Sequence, residues 1–70
     1  MNGVTVGSVW RHYKGGLYRV IALAHAESDR SLLVVYREHT DGDAPVWARS
    51  LSSWQDYVEG GPRYTPEVTS

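Results

Sequence analysis

Trp10-Arg11-His12-Tyr13-Lys14-Gly15-Gly16-Leu17-Tyr18-Arg19-Val20-Ile21 reads as a tight β-hairpin. Two runs rich in aromatic and β-branched residues flank a pair of glycines, and such side chains suit a pleated, half-buried surface. A two-residue Gly-Gly loop suits the primed turns, whose positive φ angles match the twist of the flanking strands. With Gly15-Gly16 as the loop, Lys14 pairs with Leu17, Tyr13 with Tyr18, Arg11 with Val20 and Val9 with Ala22. Cross-strand partners share a face. That register predicts one face of Val9, Arg11, Tyr13, Tyr18, Val20 and Ala22, and another of Trp10, His12, Arg19, Ile21 and Leu23. The Val9/Val20/Ala22 face is expected inside, because small and β-branched side chains fit a narrow barrel. Slipping the register by one residue exchanges the faces.

Working outward, the first strand is expected over 8–13 and the second over 17–25, with a polar connection at 26–31. Leu32-Leu33-Val34-Val35-Tyr36-Arg37 is the clearest single strand, and its apolar residues on both faces predict a central place in the sheet. The Asp-Gly and Gly-Asp pairs within 38–44 predict a loop. Pro45-Val46-Trp47-Ala48-Arg49 follows as a fourth strand, with Pro45 at its start, where a missing N–H does least harm. Ser52 and Gln55 fit a capping box, and Trp54, Tyr57 and Val58 follow at helical spacing. A short helical turn is therefore expected over 53–58, stopped by Gly60-Gly61. Pro62-Arg63-Tyr64 is expected to pair back near the first strand. The fold class is all-β: a small SH3-like, partly open antiparallel barrel of about five strands, with one helical turn before the last.

Seventy residues make one domain, with a core expected at about 7–64 and flexible tails at 1–6 and 65–70. A chain this short buries only about 60% of the surface its unfolded form exposes, so self-association is one route to further stability. There is no cysteine, which excludes disulfides and thiolate metal sites. Met1-Asn2-Gly3-Val4 has no basic segment followed by a long apolar run, and no run approaches the length of a spanning helix. The expectation is a cytoplasmic protein with no membrane role. A formal charge of −1 supplies no bulk attraction to nucleic acid.

Arg11-His12-Tyr13-Lys14-Gly15, Tyr18-x-Val20, Ala24, the neighbourhood of His25 and Glu27, Leu33-Val34-Val35-Tyr36, Trp47-x-Arg49-x-Leu51 and Pro62-Arg63-Tyr64 together resemble the bacterial domain-of-unknown-function family 1653. The resemblance spans roughly residues 7–64. It implies a compact, β-rich bacterial domain and no particular activity. Two positions depart from the family pattern. Ser50 stands where the family typically has Pro, and its His-(Ser/Thr)-Glu element is shifted by one residue at Ala24-His25-Ala26-Glu27-Ser28. No role is carried over to His25 or Glu27.

The residues themselves carry little catalytic chemistry. His12, His25 and His39 form no i, i+2 or i, i+4 pair and have no cysteine beside them, so no metal and no cofactor are expected. Asp41-Gly42-Asp43 lacks the length and terminal Glu of a calcium loop and reads as a turn. The serines lie in loops, caps or the tail, and no nucleophile elbow or phosphate loop is present. His25 and Glu27, two apart on an extended segment, would point the same way, but a salt-linked strand end explains them as well. No enzyme is expected.

Basic and aromatic residues interleave along the strands, and this is the stronger signal. Arg11, His12, Tyr13, Tyr18, Tyr36, Trp47, Arg49 and Arg63 are the candidate ligand-binding residues. Aromatic faces with interleaved Arg suit stacking and contacts to carboxylate or phosphate. The bland alternative has Tyr and Trp filling the core with Arg stems over them. Arg11 and Arg49 sit mid-strand, and Glu27, Glu38, Asp56 and Glu59 are available as ion-pair partners. Two functions follow. One is a binding module for an anionic or peptide ligand, with protein or peptide favoured over nucleic acid. The other is a structural domain acting through homodimer or protein contacts at Trp10, Ile21 and Leu23, left on the outer face of the expected hairpin.

Overall fold

A computed structural model describes residues 4–58 and 60–67. β1 (Val9–His12), β2 (Leu17–His25), β3 (Leu32–Glu38) and β4 (Val46–Ser50) are followed by α1 (Leu51–Trp54), β5 (Tyr57–Val58), β6 (Gly61–Pro62) and β7 (Tyr64–Pro66). Five strands form one antiparallel sheet in the order β4-β3-β2-β1-β7, and β5 and β6 pair separately. The sheet is not closed, so the architecture is the expected all-β, partly open barrel. β3 is an interior strand between β4 and β2, as its apolar run requires, and β2 is the middle one. No helix among the described residues is long and apolar enough to cross a membrane.

The hairpin exists, but its register corrects the expected one. Trp10 pairs with Tyr18, Val9 with Arg19 and Arg11 with Leu17. The loop holds three residues, Tyr13-Lys14-Gly15. Gly15 takes φ 111° and donates its N–H to the His12 carbonyl at 2.8 Å, while the His12 N–H donates to the Gly16 carbonyl at 2.7 Å. Three-residue hairpin loops commonly end on a positive-φ glycine, and one such glycine is enough here. The pairing is displaced by three residues, an odd number, so β1 is turned over relative to β2. Trp10 and His12 face inward and Val9 and Arg11 outward. Trp10, expected outside, is 6% exposed. Tyr13 leaves the strand altogether.

A second irregularity reinforces the first. Between Val20↔Tyr36 and Ala22↔Val35 the register shifts, so β2 carries a bulge at Ile21. The extra residue flips the alternation, and Leu23 rather than Ala22 stands opposite the inward-facing Val34. The expected Val9/Val20/Ala22 interior therefore keeps only Val20, which is fully buried.

Beyond the sheet, the helix begins earlier than Ser52-Gln55 suggests. Ser50 is the N-cap, with its Oγ accepting from Ser53 N–H at 3.2 Å, and Gln55 closes the C-terminal end. Residues 57 and 58, expected to continue the helix, instead pair with 61 and 62 around Gly60 at φ 85°. The last sheet strand is 64–66 rather than 62–64, and it pairs with β1 as expected, His12 opposite Tyr64. Packing extends past both ends of 7–64: Val4 is buried, and Glu67 N–H donates to the Val9 carbonyl at 2.9 Å. Residues 1–3 and 68–70 of the expected tails lie outside the described residues.

Candidate functional site

The concave side of the sheet is an aromatic floor. Trp10 from β1, Val20 from β2, Val34 and Tyr36 from β3 and Tyr64 from β7 are buried there with Trp54 from α1, Tyr18 packs against them, and His12 meets the Tyr18 and Tyr64 rings. Trp54 stacks on Tyr64 with ring centroids 3.8 Å apart, and Tyr36 meets Trp54 edge-on at 5.1 Å. Tyr18 meets Tyr36 edge-on at 5.6 Å, and His12 meets Tyr64 at 4.9 Å. Offset stacks and edge contacts of this kind stabilise beyond their buried area, by about 0.5–1.5 kcal/mol per pair.

Cationic groups stand on this floor. Arg49 lies opposite Val34 on β4, and its guanidinium sits 5.9 Å from the Tyr64 ring centre. Its Nη1 donates to Ser53 Oγ at 2.8 Å. The neighbouring Tyr36 hydroxyl raises the Arg49 pKa by accepting from the cation. Arg63, between β6 and β7, is half-buried and reaches Asp56 only at 4.0 Å. Burial and then the charges of Arg49, Arg63 and Lys14 push the His12 imidazole below its usual range. Burial, followed by the Tyr36 hydroxyl, drives the Tyr64 phenol upward. The three cations thus act on His12 in one direction although the chain as a whole is not positive. The Nε atoms of Arg49 and Arg63 are both buried, and no acceptor among the described residues reaches either.

The sequence-derived candidates divide clearly. His12, Tyr18, Tyr36, Arg49 and Arg63 converge on the concave side. Trp47 is at its margin, opposite Tyr36 on the outermost strand and 51% exposed. Arg11 and Tyr13 do not join it. Arg11 is on the opposite face, paired with Glu67 at 3.2 Å, and none of Glu27, Glu38 or Asp56 is its partner; Glu59 lies outside the described residues. Tyr13, in the loop, packs on His12 at 4.6 Å and under Lys14. Trp54, Tyr64 and Lys14 were missing from the candidate set. Tyr64 was legible as the end of the Pro62-Arg63-Tyr64 motif.

The three histidines stay apart, and no group of three metal-ligating side chains occurs among the described residues. His25 and Glu27 are not on one extended segment, because β2 ends at His25 and 27–29 form a turn. His25 Nδ1 instead lies 3.2 Å from the Arg30 carbonyl.

Fold and site define a small all-β module: an open five-stranded barrel with a cationic, aromatic concave side. The family model described as protein of unknown function DUF1653 matches residues 8–66, and the chain belongs to that family. A protein of the same family from Bordetella bronchiseptica, known from its crystal structure, is 32% identical to this chain with a TM-score of 0.72. The match covers 100% of this chain and 97% of that one. No curated protein matches.

Proposed function

We propose that the chain is a small binding module that captures an anionic group, a carboxylate or a phosphate, on the concave side of its barrel. Arg49 and Arg63 are the donors, His12 lies at the rim, and Tyr18, Tyr36, Trp54 and Tyr64 form the wall that fixes them. On this reading the protein binds and performs no chemistry.

One observation carries the reading: of the three arginine Nε–H groups buried without an acceptor among the described residues, Arg37, Arg49 and Arg63, two stand together on the concave side, while Arg37 alternates with Tyr36 to the other face. Leaving such a donor unsatisfied costs about 1–3 kcal/mol, and more for a charged group. Neither Arg49 nor any neighbour on β4 meets a carboxylate among the described residues, and Arg63 meets one only at the limit of an ion pair. An oxyanion lying between them would supply the acceptors and offset the like charges that depress His12.

The test is a titration with inorganic phosphate, and separately with acetate, at fixed pH and low salt. The side-chain Nε–H resonances of Arg49 and Arg63 are followed by NMR. Both are expected to move together, with weak, salt-sensitive saturation, and Arg49→Gln is expected to remove the response at Arg63 Nε. Unmoved Nε–H signals with either anion would refute the reading and leave a purely structural aromatic core.

A further inference from the structure

We propose that the open edge of β4 accepts an extended peptide as a sixth strand, one whose acidic side chain meets Arg49 and whose apolar side chain two residues away meets Trp47. The inference rests on the reading of Arg49 as an anion-binding group and identifies what carries the anion.

β4 is the outermost strand of the sheet, bonded only to β3. On an antiparallel edge strand, alternate residues turn their N–H and C=O groups away from the partner, as a template for another chain. None of the backbone hydrogen bonds made outside the strand ladders among the described residues involves 46–50. Sheet edges are commonly blunted by a bulge, by lysine, by proline within the strand or by a covering element. β4 carries no bulge, no lysine and no proline inside it, and its one charged side chain, Arg49, is on the concave side. The register of β4 with β3 is unbroken, its sequence is Val46-Trp47-Ala48-Arg49-Ser50, and Pro45 falls just outside it. Val46 and Trp47 are 56% and 51% exposed.

Side-chain direction then selects the partner. Trp47 and Arg49 stand opposite Tyr36 and Val34, so both are on the concave side. A strand laid along β4 would bring its own side chains to about 4.5–5.5 Å from theirs at the Cβ atoms, within reach of direct pairing. Alternate residues of the peptide share that face, which fixes the two-residue spacing. Charge chooses between occupants. A second copy of β4 would bring another Arg49 to the same face and no carboxylate. An acidic peptide neutralises an arginine to which no described residue brings a carboxylate.

The probe is a capped heptapeptide that alternates Thr on one face with Glu and Val on the other, together with its Glu→Gln analogue. Amide resonances of 46–50 are followed by NMR. The Glu peptide is expected to shift and protect the outward-facing amides of β4. The Gln analogue and Arg49→Gln are each expected to weaken binding about tenfold, the size of one charge-assisted hydrogen bond. Trp47→Ala, an exposed substitution that leaves the fold intact, is expected to weaken it several-fold. Silence at β4 overturns the inference. If Arg49 Nε–H still answers phosphate in that case, the anion site survives alone; if it does not, both fall. Self-association of the free protein through β4, seen by sedimentation, would also overturn it and assign the edge to a second copy.

Discussion

Trp54 lies flat on Tyr64, the two ring planes 4° apart and their centres separated by 3.8 Å. The pair ties α1 to the last strand, and Trp10 meets Trp54 edge-on at 5.7 Å from the first. The first and last strands of the chain, neighbours in the sheet, thus meet one indole that is 1% exposed. Trp54→Ala removes the stack and leaves a cavity, at a cost of about 3–5 kcal/mol. A domain this small has about 5 kcal/mol in total, so the variant is expected to be mostly unfolded without denaturant. Trp54→Phe keeps a ring on Tyr64 and discards an indole N–H that is buried without an acceptor among the described residues. It is expected to fold with a modestly lower urea midpoint. A Trp54→Ala protein melting like the parent would show that the stack does not hold the barrel together.

The hairpin loop separates the roles of its two glycines. Gly15, at φ 111°, has a backbone that L-residues rarely adopt, although its missing side chain would meet open space. Gly16 has no positive φ, but an added Cβ would stand 3.1 Å from the Tyr18 ring. Gly15→Ala is expected to cost about 1–2 kcal/mol through the backbone alone. D-alanine at the same position, introduced by synthesis, is expected to restore the parent melting temperature. Gly42→Ala, with neither constraint, serves as the neutral control. Equal losses for L- and D-alanine at position 15 would show that φ is not the cause.

That loop also explains what the sequence made legible. Strand identities, the interior place of β3 and the open barrel follow from composition and alternation. Register does not, because a Gly-Gly pair fits a two-residue loop and a three-residue loop equally well, and the choice turns over one strand. The bulge at Ile21 has no local signature, and it flips the alternation again. Trp10 and Ala22 changed sides for these two reasons. Arg49 falls on the concave side because its strand is positioned by β3, opposite Val34. Arg11 falls on the opposite face because its strand is positioned by the hairpin loop. Ser50 and Ser52 compete as caps within one serine-rich stretch, and the end of β4, at φ −61° and ψ 148°, decides for Ser50.

His12 gives the fold a pH dependence of definite sign. Burial, then Arg49, Arg63 and Lys14, lower its pKa from the ordinary value of 6.5. The unfolded chain therefore binds a proton first as pH falls. Stability is full above that ordinary value, declines as pH drops through the window down to the lowered folded value, and is constant below it as far as His12 is concerned. Nδ1 accepts from the Lys14 N–H at 3.2 Å, which places the proton of the neutral ring on Nε2. His12→Asn keeps an acceptor near that point without a titrating group. Melting temperatures measured between about pH 8 and about pH 5.5 should fall for the parent and stay flatter for His12→Asn. Parallel slopes in the two proteins would remove His12 as the source.

Arg11 tests whether the two faces of the hairpin are separate. It donates from Nε and Nη2 to the Glu67 carboxylate at 3.2 Å each, and from Nη1 to the Gly15 carbonyl at 3.3 Å. The geometry is bidentate, yet the side chains of Arg11 and Glu67 are 47% and 32% exposed. A pair in that setting contributes at most about 1 kcal/mol and is weakened by salt. Arg11→Ala and Glu67→Ala should each lower stability slightly, and the double variant should lose less than their sum at low ionic strength. With the wall of β1 between them, Arg11→Ala should leave the response of Arg49 Nε–H to phosphate unchanged, whereas Arg63→Ala should diminish it. A phosphate response that disappears with Arg11 would mean that the anion binds on the convex side, and the site would have to be moved there.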